Sequence, residues 1–181
     1  MIKEIHEHKV DLSRLPDKAK ILDIGARGFL FTNHFRDLGH DVIAVDIDDF
    51  EGKYERCAIM GHTGLVGIET FKDPQATRTC PGKDIKCFTL HDFSELAQVE
   101  MWDLIKIDVE GAELEIINSL KKAPAKQLSI EFHLHTGIYG EYEIGFMVRK
   151  LQSLGYSIAS HELTSQHGAG FNYWSSLFIL E

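Results

Sequence analysis

The segment from Lys20 to Asp46 restricts the fold more than any other part of the chain. Lys20-Ile21-Leu22-Asp23-Ile24-Gly25 is a short apolar run closed by an acid and a glycine, the composition of a buried parallel strand that stops in a tight turn. Phe29, Leu30, Phe35 and Leu38 then recur near helical spacing, with Gly39 as the stop. Asp41-Val42-Ile43-Ala44-Val45-Asp46 is a second buried strand, again closed by an acid. Strand, helix and strand within roughly 30 residues make a βαβ unit, whose parallel pair needs helices packed over the sheet.

The alternation continues. Residues 54–61, 64–71 and 85–90 read as strands, and 72–84, which holds Pro74 and Pro81, as a loop. Asp92-Phe93-Ser94-Glu95 matches a capping box and starts a short helix to about Val99. A strand over 103–109 feeds a helix over 112–120 that carries Leu114, Ile117 and Leu120 on one face and ends before Pro124. Strands over 127–133, 156–160 and 173–180, and a helix over 143–154 stopped by Gly155, complete the pattern. The expected fold is α/β: one domain over 1–181, an open, mostly parallel twisted sheet with helices on both faces and a C-terminal antiparallel hairpin. Residues 1–19 form an N-terminal extension or cap segment.

Composition excludes several classes. The net charge is −9 and no Lys/Arg-rich run occurs, so the footprint of a nucleic acid backbone is missing. Apolar stretches are strand length and the first residues lack a signal-peptide core, so a cytoplasmic protein without membrane contact is expected. Cys57, Cys80 and Cys87 show no CxxC spacing, against a disulfide framework and a structural zinc. Among the 10 histidines, His6 and His8 cluster near the N-terminus and His133, His135, His161 and His167 in the last third. Only those that the fold brings into a cleft merit a role.

Ligands of open α/β sheets gather beyond the carboxyl ends of the strands, at the switch point of strand order. Asp23 with Gly25, Asp46, Asp108, and Glu131 with His133 all close strands. Asp23-x-Gly25-x-x-Gly28 opens a helix, and Asp46 follows Gly25 by about 20 residues, an arrangement that holds a nucleoside. Gly25, Ala26 and Gly28 bring backbone to the ligand, and Asp46 followed by Ile47 receives the ribose. Arg27 in place of a further glycine disfavours a pyrophosphate, so a cationic, phosphate-free adenosine ligand suits the carboxylates better. The competing reading makes Gly25 and Gly28 a plain strand-to-helix turn.

Lys106 and Asp108 are two charges inside an apolar strand. Residues i and i+2 of a strand share a face, so both point the same way, and Glu131 on the adjacent strand comes within reach. Lys106 is the cation of that cluster. Glu110 and Glu113 stand at the start of the next helix, where the dipole favours carboxylates, so at least one of them, Glu113 before Glu110, reads as a cap rather than a catalytic group.

Ile21-Leu22-Asp23-Ile24-Gly25-Ala26-Arg27-Gly28, Asp103 to Glu113 and Ser129-Ile130-Glu131-Phe132-His133 together resemble the FkbM-type S-adenosylmethionine-dependent methyltransferases, from about Ile21 to the final strand. The resemblance implies a class I, Rossmann-like methyltransferase that methylates a hydroxyl of a sugar or natural product, with Asp23, Gly25 and Asp46 facing the cofactor. The family's Leu-Asp-Asp stands here as Leu90-His91-Asp92.

On this reading Asp108 faces the cofactor sulfonium or the incoming hydroxyl, His133 is the general base, and Glu131 orients its imidazole or binds the acceptor. A histidine satisfying a local hydrogen bond is the bland alternative. A divalent cation on Asp108, Glu131 and His133 is another, but no metal is assigned, because Lys106 would compete with it. Residues 134–142 and 164–172 mix glycine, aromatic and polar residues as an acceptor lid would. A nucleotide-dependent oxidoreductase and a non-catalytic cofactor-binding protein of the same fold remain open, as does a homo-oligomer.

Overall fold

The computed structural model describes residues 8–70, 77–166 and 171–181. Its main sheet has seven strands: β1 (Lys20–Ile24), β2 (Asp41–Asp46), β3 (Glu55–Arg56), β7 (Trp102–Ile107), β8 (Ala125–His133), β9 (Tyr156–Gln166) and β10 (Phe171–Leu180), in the order β3-β2-β1-β7-β8-β10-β9. Strands β1, β2, β3, β7 and β8 run parallel, and β10 pairs antiparallel with both β8 and β9. The α/β architecture with its terminal hairpin is as expected from the sequence. The strand order reverses between β1 and β7, so the ligand crevice of an open sheet falls at their carboxyl ends.

Helix α1 (Leu30–Asp37) follows β1; α2 (Leu90–Leu96), α3 (Glu113–Ser119) and α4 (Glu141–Ser153) follow later strands. The last three pack on one face of the sheet: Phe93, Ile116, Ile117, Ile144, Met147 and Leu151 lie in one core with Leu22, Ile24, Ile105, Ile107, Leu128 and Ile130. Helix α1 and the N-terminal segment cover the other face, where Phe31 and Phe35 join Ile21 and Leu104. The core of α1 is therefore Phe31 and Phe35; Leu30 and Leu38, expected on that face, are exposed. Gly39 stops the helix at φ +91.

Three local expectations change. The strand read over 54–61 is split into β3 and β4 (Ala58–Ile59), because the chain leaves the main sheet at Cys57 and joins a second sheet of order β4-β6-β5. There β5 (Gly64–Thr70) pairs with β6 (Thr77–Phe88), so residues 77–84 are strand rather than loop, while 72–76 lie outside the described residues. Pro81 is accommodated because the β5–β6 register breaks between the Cys80–Gly67 and Ile85–Val66 pairs, which puts the proline in a bulge, and β4 on the other edge pairs only with Cys87 and Phe88. Helix α2 starts from Thr89, whose hydroxyl accepts the Asp92 N–H, rather than from Asp92. Among the described residues no helix is long and apolar enough to cross a membrane.

Candidate active site

Strand β1 ends in a turn that only glycine fits. Gly25 has φ +78, and a Cβ there would lie 1.8 Å from the Asp108 carbonyl oxygen. The N–H groups of Gly25 and Ala26 both donate to the Val45 carbonyl, and the Asp108 N–H donates to the Ile24 carbonyl, so the ends of β1, β2 and β7 are tied together. Gly28 (φ +72) supplies a second left-handed step before α1, and nothing lies within 4 Å of its Cβ position.

These strand ends bound a cleft that opens to solvent. Gly25, Asp46, Ile47 and Asp108 line it, over an apolar floor of Ile59 and Met60. Three residues expected at the cofactor do not line it: Ala26 is buried, Gly28 shapes the turn, and Asp23 lies beneath, fully buried. Asp46 accepts the Asp48 N–H at 2.9 Å, and burial pushes its carboxyl up to about 6. Asp46, Asp48, Asp108 and Glu110 outnumber Arg27 and Arg78 on the walls, which fits a cationic adenosine ligand better than a pyrophosphate.

A polar face adjoins the cavity. Asp23, Lys106 and Ser129 stand in one row across β1, β7 and β8, and Asp108 and Glu131 follow two residues on. Lys106 Nζ, 2% exposed, lies 3.1 Å from Asp23 Oδ1, 3.2 Å from Asp108 Oδ2 and 2.9 Å from the Gly25 carbonyl. Thr32 of α1 donates to the second Asp23 oxygen at 2.6 Å. Asp23 thus holds Lys106 and α1 in place and does not line the cavity. Burial opposes the Lys106 charge, but Asp23 and Asp108 outweigh it and raise its pKa; the same lysine outweighs burial at Asp108 and lowers that carboxyl.

His133 closes β8. Its Nδ1 is 2.6 Å from Glu113 Oε1, and its Nε2 is 3.4 Å from Asp108 Oδ1 and 3.7 Å from Glu131 Oε2. Its backbone N–H donates to the Tyr139 hydroxyl at 2.7 Å. Burial works against a charged imidazole here, but the hydrogen bond and charge of Glu113, with Asp108 and Glu110, outweigh it and hold the pKa at about 10. Glu113, expected as a helix cap, makes no capping bond and is fully buried against His133. The residue that orients the imidazole is therefore Glu113 rather than Glu131.

His8 is a further member that sequence reasoning missed. The N-terminal segment is fastened to β8 by Gln127, whose side chain exchanges two 3.0 Å hydrogen bonds with the Asp11 backbone. This places His8 Nε2 3.5 Å from Asp108 Oδ2 and His8 Nδ1 3.4 Å from Glu131 Oε1. Burial, then Lys106, lowers its pKa to about 3. The pairing of His6 with His8 in sequence was the available signal, and His6 lies outside the described residues. His91 is exposed on α2 beside Glu95, away from the cavity. Of the two expected lids, 134–136 is a 3-10 turn leading to buried Tyr139, while 164–166 and 171–172 extend the hairpin and 167–170 lie outside the described residues.

Sheet order and a cavity at the switch point are those of the class I, Rossmann-like methyltransferase fold. Residues 33–158 match the model of the methyltransferase FkbM domain, and the chain belongs to that family. Among similar solved structures is a Burkholderia thailandensis 1,6-didemethyltoxoflavin-N1-methyltransferase with bound 1,6-didemethyltoxoflavin and S-adenosylhomocysteine, at 14% identity and TM-score 0.52, over 91% of this chain and 72% of that one. Another is the Methanococcus jannaschii fibrillarin pre-rRNA processing protein, at 15% identity and TM-score 0.53, over 96% and 71%. M. capricolum TrmK with S-adenosylhomocysteine has 12% identity and TM-score 0.51, over 95% and 69%. At these identities the likeness is one of fold. No curated protein matches the chain in sequence.

Proposed function

We propose that this methyltransferase acts in the cytoplasm as a single domain, with residues 1–19 as its cap, and methylates a hydroxyl of a saccharide or natural-product small molecule. The observation that carries the reading is His133, held on Nδ1 by buried Glu113 with Nε2 turned toward Asp108 at the cofactor cavity. S-adenosylmethionine, when bound, supplies an electrophilic methyl group on a sulfonium.

The residues of this chain divide the remaining work. Gly25 brings backbone to the ligand, and Ile47 lines the adenosine end of the cavity. Asp46 accepts the ribose hydroxyls. Asp108 contributes negative charge toward the sulfonium, and Lys106 keeps that carboxylate ionised and in place. In its neutral form, populated as pH rises toward about 10, His133 accepts the proton of the acceptor hydroxyl at Nε2, and Glu113 fixes the tautomer and stabilises the imidazolium that results. Glu131 adjoins both histidines and is placed to bind the acceptor.

A charge-assisted bond to a sugar hydroxyl contributes about 1.5–3 kcal/mol, so Asp46→Ala weakens S-adenosylmethionine binding about tenfold or more in calorimetric titration. In the unsubstituted chain the affinity falls as pH drops through about 6, where the Asp46 carboxylate takes up its proton. Unchanged affinity in a folded Asp46→Ala variant, with no such pH effect, removes the ribose assignment. Label transfer from methyl-labelled cofactor to a panel of sugars and hydroxylated natural products tests the acceptor class, and labelling of nitrogen alone contradicts it.

A further inference from the structure

His8 takes no part in the methyl-transfer steps above, yet it is built into the site. Its ring is 3% exposed and meets Phe31 edge-on, with centroids 5.6 Å apart at 88°. One nitrogen faces Asp108 and the other faces Glu131, at 3.5 and 3.4 Å. Nδ1 is buried and has no hydrogen-bond partner. A neutral imidazole carries one N–H and one lone pair, so between two carboxylates one of them always meets the lone pair. Such a buried, unmatched polar atom costs about 1–3 kcal/mol and calls for an explanation, an ion being one.

The geometry points to a divalent cation site formed by His8, Asp108 and Glu131. One ligand atom from each residue lies within 4.8 Å of the others, a spacing that a single ion with bonds of about 2.0–2.2 Å closes by small side-chain movements. One imidazole nitrogen and two carboxylate oxygens suit Mn²⁺, which accepts both donor types, and Mg²⁺ less closely. Three protein ligands leave positions for water or for oxygen atoms of an acceptor. Lys106 does not replace such a cation, because its ammonium, though 3.2 Å from the same Asp108 Oδ2 that faces His8, is divided with Asp23 and the Gly25 carbonyl. The ring of His8 is delivered by the N-terminal segment, so the site exists only when Asp11 is docked on Gln127.

The test is a titration of the full chain with Mn²⁺ alone, reading the loss of the free-ion electron paramagnetic resonance signal. One equivalent binds, and His8→Ala weakens binding roughly 10-fold or more, as loss of a group that holds a metal does. Glu131→Gln reads the same site should His8→Ala fail to fold, as judged by its thermal transition. His91→Ala is the control, since His91, Asp92 and Glu95 form an exposed group on α2. Absence of Mn²⁺ binding in the unsubstituted chain overturns the site, as does binding that survives both His8→Ala and Glu131→Gln, or that is lost in His91→Ala. S-adenosylmethionine affinity is measured in parallel, so a failure of the metal site is distinguishable from a failure of cofactor binding.

Discussion

The two faces of strands β1, β7 and β8 are written by the same residues in alternation, yet they are held together in different ways. One face presents Leu22, Ile24, Ile105, Ile107, Leu128 and Ile130 to three helices, with Asp103 and Lys126 of the same alternation paired at its edge. The other carries Asp23, Lys106, Asp108, Ser129, Glu131 and His133 beside Ile21 and Leu104, and is met by Thr32 of α1, His8 of the N-terminal segment and Glu113 at the start of α3. Burial alone stabilises the first face, at about 25 cal/mol per Å² of apolar surface. The second is stable only as a set: each buried charge depends on a named partner, and removal of one partner strands another. The apolar face tolerates conservative exchange, whereas the polar face trades that tolerance for chemistry.

Breaking the polar set at its centre has the largest expected effect. Lys106→Met leaves Asp23 and Asp108 buried without their cation and lowers stability by about 3–5 kcal/mol, read as a shift in the urea midpoint. A loss below about 1 kcal/mol, the value of an exposed pair, shows that the lysine is not what neutralises them.

His133→Ala comes next. The transfer rate falls roughly 100-fold or more while cofactor affinity stays nearly intact, as removal of a general base requires. The same variant reports on stability. The folded-state pKa of His133, about 10, lies above its ordinary 6.5, so the contribution of its pairing is fully present below pH 6.5 and is lost as pH rises through about 10. In His133→Ala that alkaline slope of stability disappears. An identical slope in both proteins assigns it to another group.

The smallest effect belongs to the apolar face. Ile130→Val, one position before Glu131, lowers stability by about 0.5–1.5 kcal/mol through the lost methylene and leaves turnover unchanged. A change in turnover comparable to that of His133→Ala would show that the two faces are coupled, and the contrast drawn between them would fail.

The strands that carry the site were legible because alternation exposes a charge where an apolar residue is due. Lys106 and Asp108, and Glu131 with His133, declared a shared face before any pairing was known, and the register of β1, β7 and β8 joins them. Partners contributed by other elements were not legible. A carboxylate in the first turn of a helix has the same signature whether it caps the helix or, like Glu113, reaches a histidine on a neighbouring strand. Asp23 closes a strand as a ligand acid would, but Thr32, one turn into α1, and Lys106 claim both its oxygens. His8 reaches the site through tertiary docking of Asp11 on Gln127, 116 residues away, a contact no local pattern records. The course of β6 through Pro81 was hidden for a simpler reason, since proline argues against a strand until a bulge in the ladder is known to hold it.

The pairing of His133 with Glu113 is the centre of this account, and the pH dependence of methyl transfer tests it most directly. With methyl-labelled cofactor and a saturating hydroxyl acceptor, the rate of the unsubstituted chain rises with pH toward about 10, as the imidazolium gives up its proton. Glu113→Gln removes the charge that holds that proton, and the rise moves down toward the ordinary value of 6.5. A flat profile, or the same midpoint in both proteins, contradicts His133 as the base.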